Sequence, residues 1–383
     1  MLSRRKKVLF GLVTMAFVLG AMEFALRILL LAAHKDLDGI RKSYANVLDS
    51  NSRGHSAYVT DHPYLPHLPR ASSQLISSYD YPLGGRIERR LNINSLGFRG
   101  PELQPRDART FRVACLGGST VEGCLSDPWQ WPGLVGENLA RLYPDRRVEV
   151  INAGVSNYAS TDTLLRFVLQ VLPLRPDCVV VYDGVNDLFA LGADEVKNDF
   201  SHIRKRLPCT PTVFDYCPRW FERSALFVCV RRVASDLWLH RTNNLVMLTL
   251  RDFMRSDPSS TSGREIFRRN LMNLAFLCRG YGIRMVVCTF NQYTFDAQGN
   301  VVPNPQLEQK RAALNGIVRQ VARETGADLL ELENALPADR RHYLDGAHFT
   351  RVGEEQVARL VSAKIRAMYG PKLQSSAREV PSE

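Results

Sequence analysis

From Phe111 onward, short β-branched or apolar runs alternate with longer amphipathic stretches, and this rhythm most constrains the fold. It predicts strands at Phe111–Leu116, Val148–Asn152, Cys178–Tyr182, Arg284–Phe290 and Asp328–Leu332. Between and after them it predicts helices at Trp131–Leu142, Thr161–Leu172, Gly263–Arg279, Glu308–Thr325 and Val352–Met368. Pro132 suits the opening turn of the first helix, where a missing N–H donor is tolerated. Strands that are apolar nearly throughout are buried on both faces, which is the mark of a parallel sheet covered by crossover helices. The expected fold is α/β: a three-layer α/β/α sandwich around a central parallel five-stranded sheet.

The rest of the chain divides by composition. Arg4, Arg5, Lys6 and Lys7 precede Val8–Ala33, which is apolar except for Thr14, Glu23 and Arg27. As a helix rising 1.5 Å per residue, that stretch crosses a hydrocarbon core of ~30 Å. Glu23 and Arg27 stand four apart and can pair on one helix face. The leading positive charges place the N-terminus in the cytoplasm and the remainder across the membrane. A cleaved signal peptide is the competing explanation. No small-x-small site ends the apolar run before Glu23, which favours an uncleaved anchor. The expected division is a basic stub and anchor over residues 1–33, then a stalk and ordered lead-in over 34–110. The main domain follows over 111–370, with a loose tail over 371–383. Asn94–Gly100 is the most structured-looking part of the lead-in.

Residues 189–262 are too long for an ordinary connection and carry aromatic and aliphatic residues at Phe221–Val233 and Trp238–Phe253. A helical cap that shapes a substrate site, added packing surface and a membrane-resting face are all compatible with that pattern.

Hydrophobic residues at 45% and charged residues at 23% are ordinary for a folded protein. The net charge of +11 is scattered. No recognition helix or aromatic-basic repeat accompanies it, so nucleic acid is not an expected partner. The eight cysteines do not form a disulfide-dense pattern. Cys115, Cys178, Cys278 and Cys288 lie in or beside apolar runs and read as buried thiols. In an oxidising compartment, Cys209 could bridge Cys217, or Cys217 could bridge Cys229. No spacing suggests a zinc site, and no glycine pattern suggests a nucleotide cofactor. No metal or cofactor is therefore expected.

In an open parallel sheet, residues just beyond the C-terminal strand ends converge on the ligand crevice. Ser119 follows the first strand in Gly117-Gly118-Ser119-Thr120, and Gly154 follows the second in Asn152-Ala153-Gly154. Asn186 follows the third, in Gly184-Val185-Asn186-Asp187, while Asp345 and His348 precede the last helix. A serine hydroxyl is a weak nucleophile until a base such as His348 accepts its proton. Asp345 can fix the imidazole tautomer and favour its charged form. The Ser119 and Gly154 N–H groups and the Asn186 carboxamide can serve as oxyanion donors, each worth roughly 3 kcal/mol. Taken singly, each residue has a structural explanation: Ser119 as a helix cap, Asp345 as a turn former, Asn186 as a loop brace. Asp187 reads as structural, and His202, His240 and His342 have no comparable partners.

These four blocks, in this order, resemble the SGNH hydrolase superfamily, also called the GDSL esterase/lipase family. The resemblance runs from Phe111 to Met368, apart from the insertion. It implies a flavodoxin-like fold, Ser119, Asp345 and His348 as catalytic residues, and Ser119, Gly154 and Asn186 as the oxyanion hole. Gly118 stands where the named motif has Asp, Thr120 where it has Leu, and Asn157 where a second glycine is common. The lead-in and anchor resemble bacterial exopolysaccharide-associated members. The expected activity is serine-dependent hydrolysis of O-acyl esters, acetyl or short acyl, on an extracytoplasmic glycan or lipid. The expected partners are the bilayer, through residues 8–33, and polysaccharide-modification machinery. An O-acyltransferase and a non-catalytic membrane-tethered glycan-binding protein are the alternatives.

Overall fold

The computed structural model describes residues 3–33, 59–60, 62, 64–191, 198, 200, 219–242 and 261–375. The chain divides into two compact units, residues 1–57 with 206–245, and residues 58–205 with 246–383.

The larger unit holds the predicted sandwich. After the short pair β1 (Val59–Thr60) and β2 (Leu68–Pro69) comes an antiparallel hairpin, β3 (Ser73–Tyr81) with β4 (Gly85–Ile93). The central strands are β5 (Thr110–Gly117), β6 (Arg147–Asn152), β7 (Cys178–Tyr182), β8 (Arg284–Cys288) and β9 (Asp328–Leu330). They form a five-stranded sheet in the order β6-β5-β7-β8-β9, and every neighbouring pair is parallel. Every residue of β5 and β7 is buried, as expected for strands covered on both faces. The strand order reverses between β5 and β7, so the loops leaving those two strands open the crevice where such sheets bind ligands.

Helix Trp131–Leu142 has the expected bounds, because Gln130 caps it, accepting from the Gly133 N–H, and Pro132 fills its first turn. Helices Thr261–Gly280, Pro305–Thr325 and Arg351–Ser375 also cover the sheet. The helix expected at 161–172 is regular only over Ser160–Arg166. It then widens to a π turn at Phe167–Val171 and tightens at Leu172–Leu174, where Pro173 cannot donate. Strands β8 and β9 end two residues earlier than expected. Thr289 and Asn291 spend their side chains beyond the strand, on Leu332 N, Glu333 N and the Leu332 carbonyl.

The smaller unit holds helix Arg4–Ala32, which is long and apolar enough to cross a membrane as a spanning or signal segment. Glu23 and Arg27 pair at 2.8 Å, as their spacing suggested. The pair also docks the inserted helix Ala225–Thr242. Glu23 accepts from Ser224 Oγ and from the Ala225 and Leu226 N–H groups, each at 2.8 Å. Arg27 donates to the Arg223 carbonyl at 2.7 Å. A carboxylate at a helix start satisfies donors that have no partner within the helix. Most of the second helix expected in the insertion, 238–253, lies outside the described residues, as do Cys209 and Cys217. Cys229 is a free thiol, as are the four cysteines read as buried.

Candidate active site

The turn after β5 is tight. Gly117 leaves the strand at φ +153°, and residues Ser119–Glu122 form one helical turn with Ser119 first. A first-turn N–H has no acceptor within its own helix, so the Ser119 N–H is open to a ligand. A side chain at Gly118 would lie 2.7 Å from Asn186 Nδ2 and 3.1 Å from the Tyr158 carbonyl. Any side chain there would displace the Asn186 carboxamide, so glycine at this point of the motif leaves that group in place.

Asp345 and His348 lie on the loop before helix Arg351–Ser375, pinched by a bridge between Tyr343 and Phe349. Asp345 Oδ1 accepts from the Ala347 and His348 N–H groups at 2.8 Å, which fixes the carboxylate within its own turn. Its Oδ2 lies 2.7 Å from His348 Nδ1, and His348 Nε2 lies 2.8 Å from Ser119 Oγ. Two residues 229 apart in sequence thus meet in one hydrogen-bonded chain. Burial alone would raise the Asp345 carboxyl, but His348 and the two backbone donors hold it below its ordinary value. Burial alone would lower His348, but Cys124 and Asp345 together carry it well above its ordinary value.

The anticipated donors stand beside this chain in different states. Asn186, on the short helix Val185–Ala190, gives one amide hydrogen to the Tyr158 carbonyl at 2.8 Å and keeps the other. The Gly154 N–H is engaged by the Asn152 side chain at 3.0 Å. Asn152 in turn donates to the Val121 carbonyl at 3.0 Å, tying the end of β6 to the serine turn. Gly154 packs so closely there that an added Cβ would meet the Glu122 nitrogen at 2.2 Å. Asn157 has φ +67°, a left-handed conformation that Asn adopts more readily than other residues with a side chain. That explains how it replaces a glycine.

Several residues that brace the site were not singled out in the sequence. The Arg99 guanidinium is buried and hydrogen-bonds the carbonyls of Glu122, Gly123 and Leu125 while pairing with Asp127 at 2.7 Å. Trp131 Nε1 donates to the Thr120 carbonyl at 3.0 Å, and the Trp131 N–H donates to Glu354 at 2.7 Å. Burial pushes the Glu354 carboxyl well above its ordinary value. On the Asn186 side, the buried carboxyls Asp162, Asp183 and Asp187 converge. Asp187 accepts from the Ser160 N–H and hydroxyl. Burial is the main reason its carboxyl is raised to about 7. Asp187 thus ties the start of helix Ser160–Arg166 to the loop that carries Asn186. His342 pairs with Asp339 at 2.7 Å, and His202 lies outside the described residues.

The model of the GDSL-like lipase/acylhydrolase family matches residues 115–356, a span that includes Ser119, Gly154, Asn186, Asp345 and His348. No curated protein sequence matches the chain. Among solved structures, it is similar to an acetyl xylan esterase at 17% identity and TM-score 0.41, covering 67% of this chain and 100% of that one. It is also similar to an acetylxylan esterase from Geobacillus stearothermophilus, at 15% identity and TM-score 0.40, covering 67% and 94%. A lipase/acylhydrolase from Enterococcus faecalis aligns at 18% identity and TM-score 0.39, covering 67% and 96%. Likenesses this distant carry no argument about substrate. The match over 115–356, on a central parallel sheet of this topology, makes the chain a member of the GDSL-like lipase/acylhydrolase family and a hydrolase of ester substrates.

Proposed function

We propose that the protein is a serine esterase that removes acetyl or short acyl groups from an extracytoplasmic glycan or lipid. The observation that carries the catalytic reading is the contact chain from Ser119 Oγ through the His348 imidazole to Asp345, with links of 2.8 and 2.7 Å. Ser119 Oγ attacks the ester carbonyl while His348 Nε2 takes its proton, and Asp345 steadies the imidazolium. The carbonyl oxygen gains negative charge, which the Ser119 N–H and the second Asn186 hydrogen stabilise. The Gly154 N–H completes the set by leaving Asn152 for this stronger, charged acceptor. Collapse breaks the ester C–O bond, and the departing alcohol takes the proton from His348. Water then attacks the acyl-enzyme with His348 again as base, releasing the acid and restoring Ser119.

The apolar helix Arg4–Ala32, whose first four residues are basic, supports an anchored placement with the N-terminus cytoplasmic and the catalytic unit outside. That placement puts surface polysaccharide or lipid, and the machinery that modifies it, within reach. The test is activity profiling of the full chain in detergent on acetylated sugars and on simple esters of increasing acyl length. Release of free acid, falling as the chain lengthens, is expected. Acylated glycan formed in preference to free acid would instead make the protein a transferase, and preference for long acyl chains would overturn the short-acyl reading.

A further inference from the structure

Past its basic first turn, helix Arg4–Ala32 carries only two charged residues, Glu23 and Arg27. A hydrocarbon core of ~30 Å takes about 20 helical residues, so a span that begins at Val8 ends near Arg27. Glu23 then lies about 6 Å inside that boundary. Ile28–Ala32 continue the apolar run, so any placement that also immerses them carries the pair deeper. Ionisable groups at such depth are matched by one another or by backbone groups.

The inserted segment supplies the match. Glu23 and Arg27 pair with each other at 2.8 Å. Glu23 also accepts from Ser224 Oγ and from the Ala225 and Leu226 N–H groups, and Arg27 donates to the Arg223 carbonyl. Glu23, Leu26 and Leu30, on one helix face, are half-buried, while every other residue of that helix is exposed. On helix Ala225–Thr242, Ala225 and Val228 are buried. The start of the inserted helix is therefore held level with Glu23 and Arg27, at or below the edge of the hydrocarbon.

What this segment exposes is apolar. Trp220 is 63% exposed, Val230 48% and Val233 56%. Trp220 stacks on Phe221 with centroids 4.0 Å apart, and Phe221 packs on Phe227 at 5.4 Å. Tryptophan favours the boundary between hydrocarbon and headgroups. The inserted helix cannot cross in its turn, because Arg231, Arg232, Asp236 and Arg241 lie along it.

We propose that Arg219–Val233 rests in the bilayer interface, held there by Glu23 and Arg27, with Trp220, Val230 and Val233 against phospholipid. Lipid is the occupant because this surface continues from a helix that is itself exposed and apolar along its length. The proposal rests on helix Arg4–Ala32 spanning the bilayer, and it is independent of the esterase reading.

The experiment reconstitutes the full chain in phosphatidylcholine vesicles whose acyl chains carry bromine close to the headgroups. Retention after alkaline carbonate washing is recorded first. Tryptophan fluorescence should be quenched, with most of that quenching lost in W220F. E23L keeps the spanning helix apolar but removes the carboxylate that holds the inserted helix, so quenching should fall at least twofold. E23Q keeps one acceptor oxygen and should lie between. Benzoylphenylalanine placed at Val233 should form adducts with phospholipid on illumination. Quenching undiminished in W220F, or undiminished in both E23L and E23Q, would overturn the proposal. Adducts to a second copy of the chain in place of lipid would also overturn it. Release of the chain by carbonate would overturn the span beneath it, whereas retention without quenching would overturn the interfacial segment alone.

Discussion

The turn bearing Ser119 and the loop bearing Asn186 leave adjacent strands, β5 and β7, and sit within contact of one another at Gly118. The first is braced by a buried cation. Arg99 gathers three carbonyls and the Asp127 carboxylate, so its donors are matched by acceptors and its charge by a partner. The second is braced by buried acids. Asp183 and Asp187 share a pocket with Asp162, and burial and mutual repulsion hold the Asp183 carboxyl above its ordinary value. A guanidinium stays charged at every working pH, whereas a crowded carboxyl takes up a proton as the medium approaches its raised pKa. The serine turn should therefore hold its shape regardless of pH, and the Asn186 loop should respond to it.

Replacing Arg99 with Met tests the first half. It leaves the Glu122, Gly123 and Leu125 carbonyls and the Asp127 carboxylate without their shared partner. Breaking such a buried pair costs about 3–5 kcal/mol. The stability loss, read from urea unfolding, should be the same at pH 5 and pH 8. A loss that varies strongly with pH would remove the contrast.

The smaller effect concerns Asp187. Its carboxyl titrates near 4 in the unfolded chain and at about 7 in the fold, so between those values the folded state binds more protons. Stability contributed by this group is thus fully present at low pH, falls as pH rises through that window, and levels off above about 7. D187N should flatten part of this decline, measured as the unfolding midpoint from pH 4.5 to 8. An unchanged slope would mean that the acid pocket holds its protons no more tightly than the unfolded chain does.

How much of this was legible in the sequence depends on whether a residue's partners are near or far along the chain. The five core strands were readable because β5 and β7 are apolar at nearly every position, and helix Trp131–Leu142 because its cap and proline are local signals. The serine, aspartate and histidine could be singled out because chemistry restricts which residue types can do such work, and the fold brings the three side chains into contact. The hairpin was missed because its two nine-residue strands, Ser73–Tyr81 and Gly85–Ile93, bury few apolar side chains: Leu75, Leu91 and Ile93 form its small cluster. Alternation so weakly apolar reads as a polar lead-in. Arg99 stood in a segment already marked as structured, but its bonds reach 23 to 28 residues onward, and no local pattern shows that.

The central claim is that Ser119 is the attacking group. Treating the full-length protein with a fluorophosphonate and mapping the adduct by peptide mass tests it most directly. The account predicts one adduct, on Ser119, with S119A neither labelled nor able to hydrolyse p-nitrophenyl acetate while keeping its circular dichroism spectrum. An adduct on another residue, or undiminished ester hydrolysis by folded S119A, would contradict it.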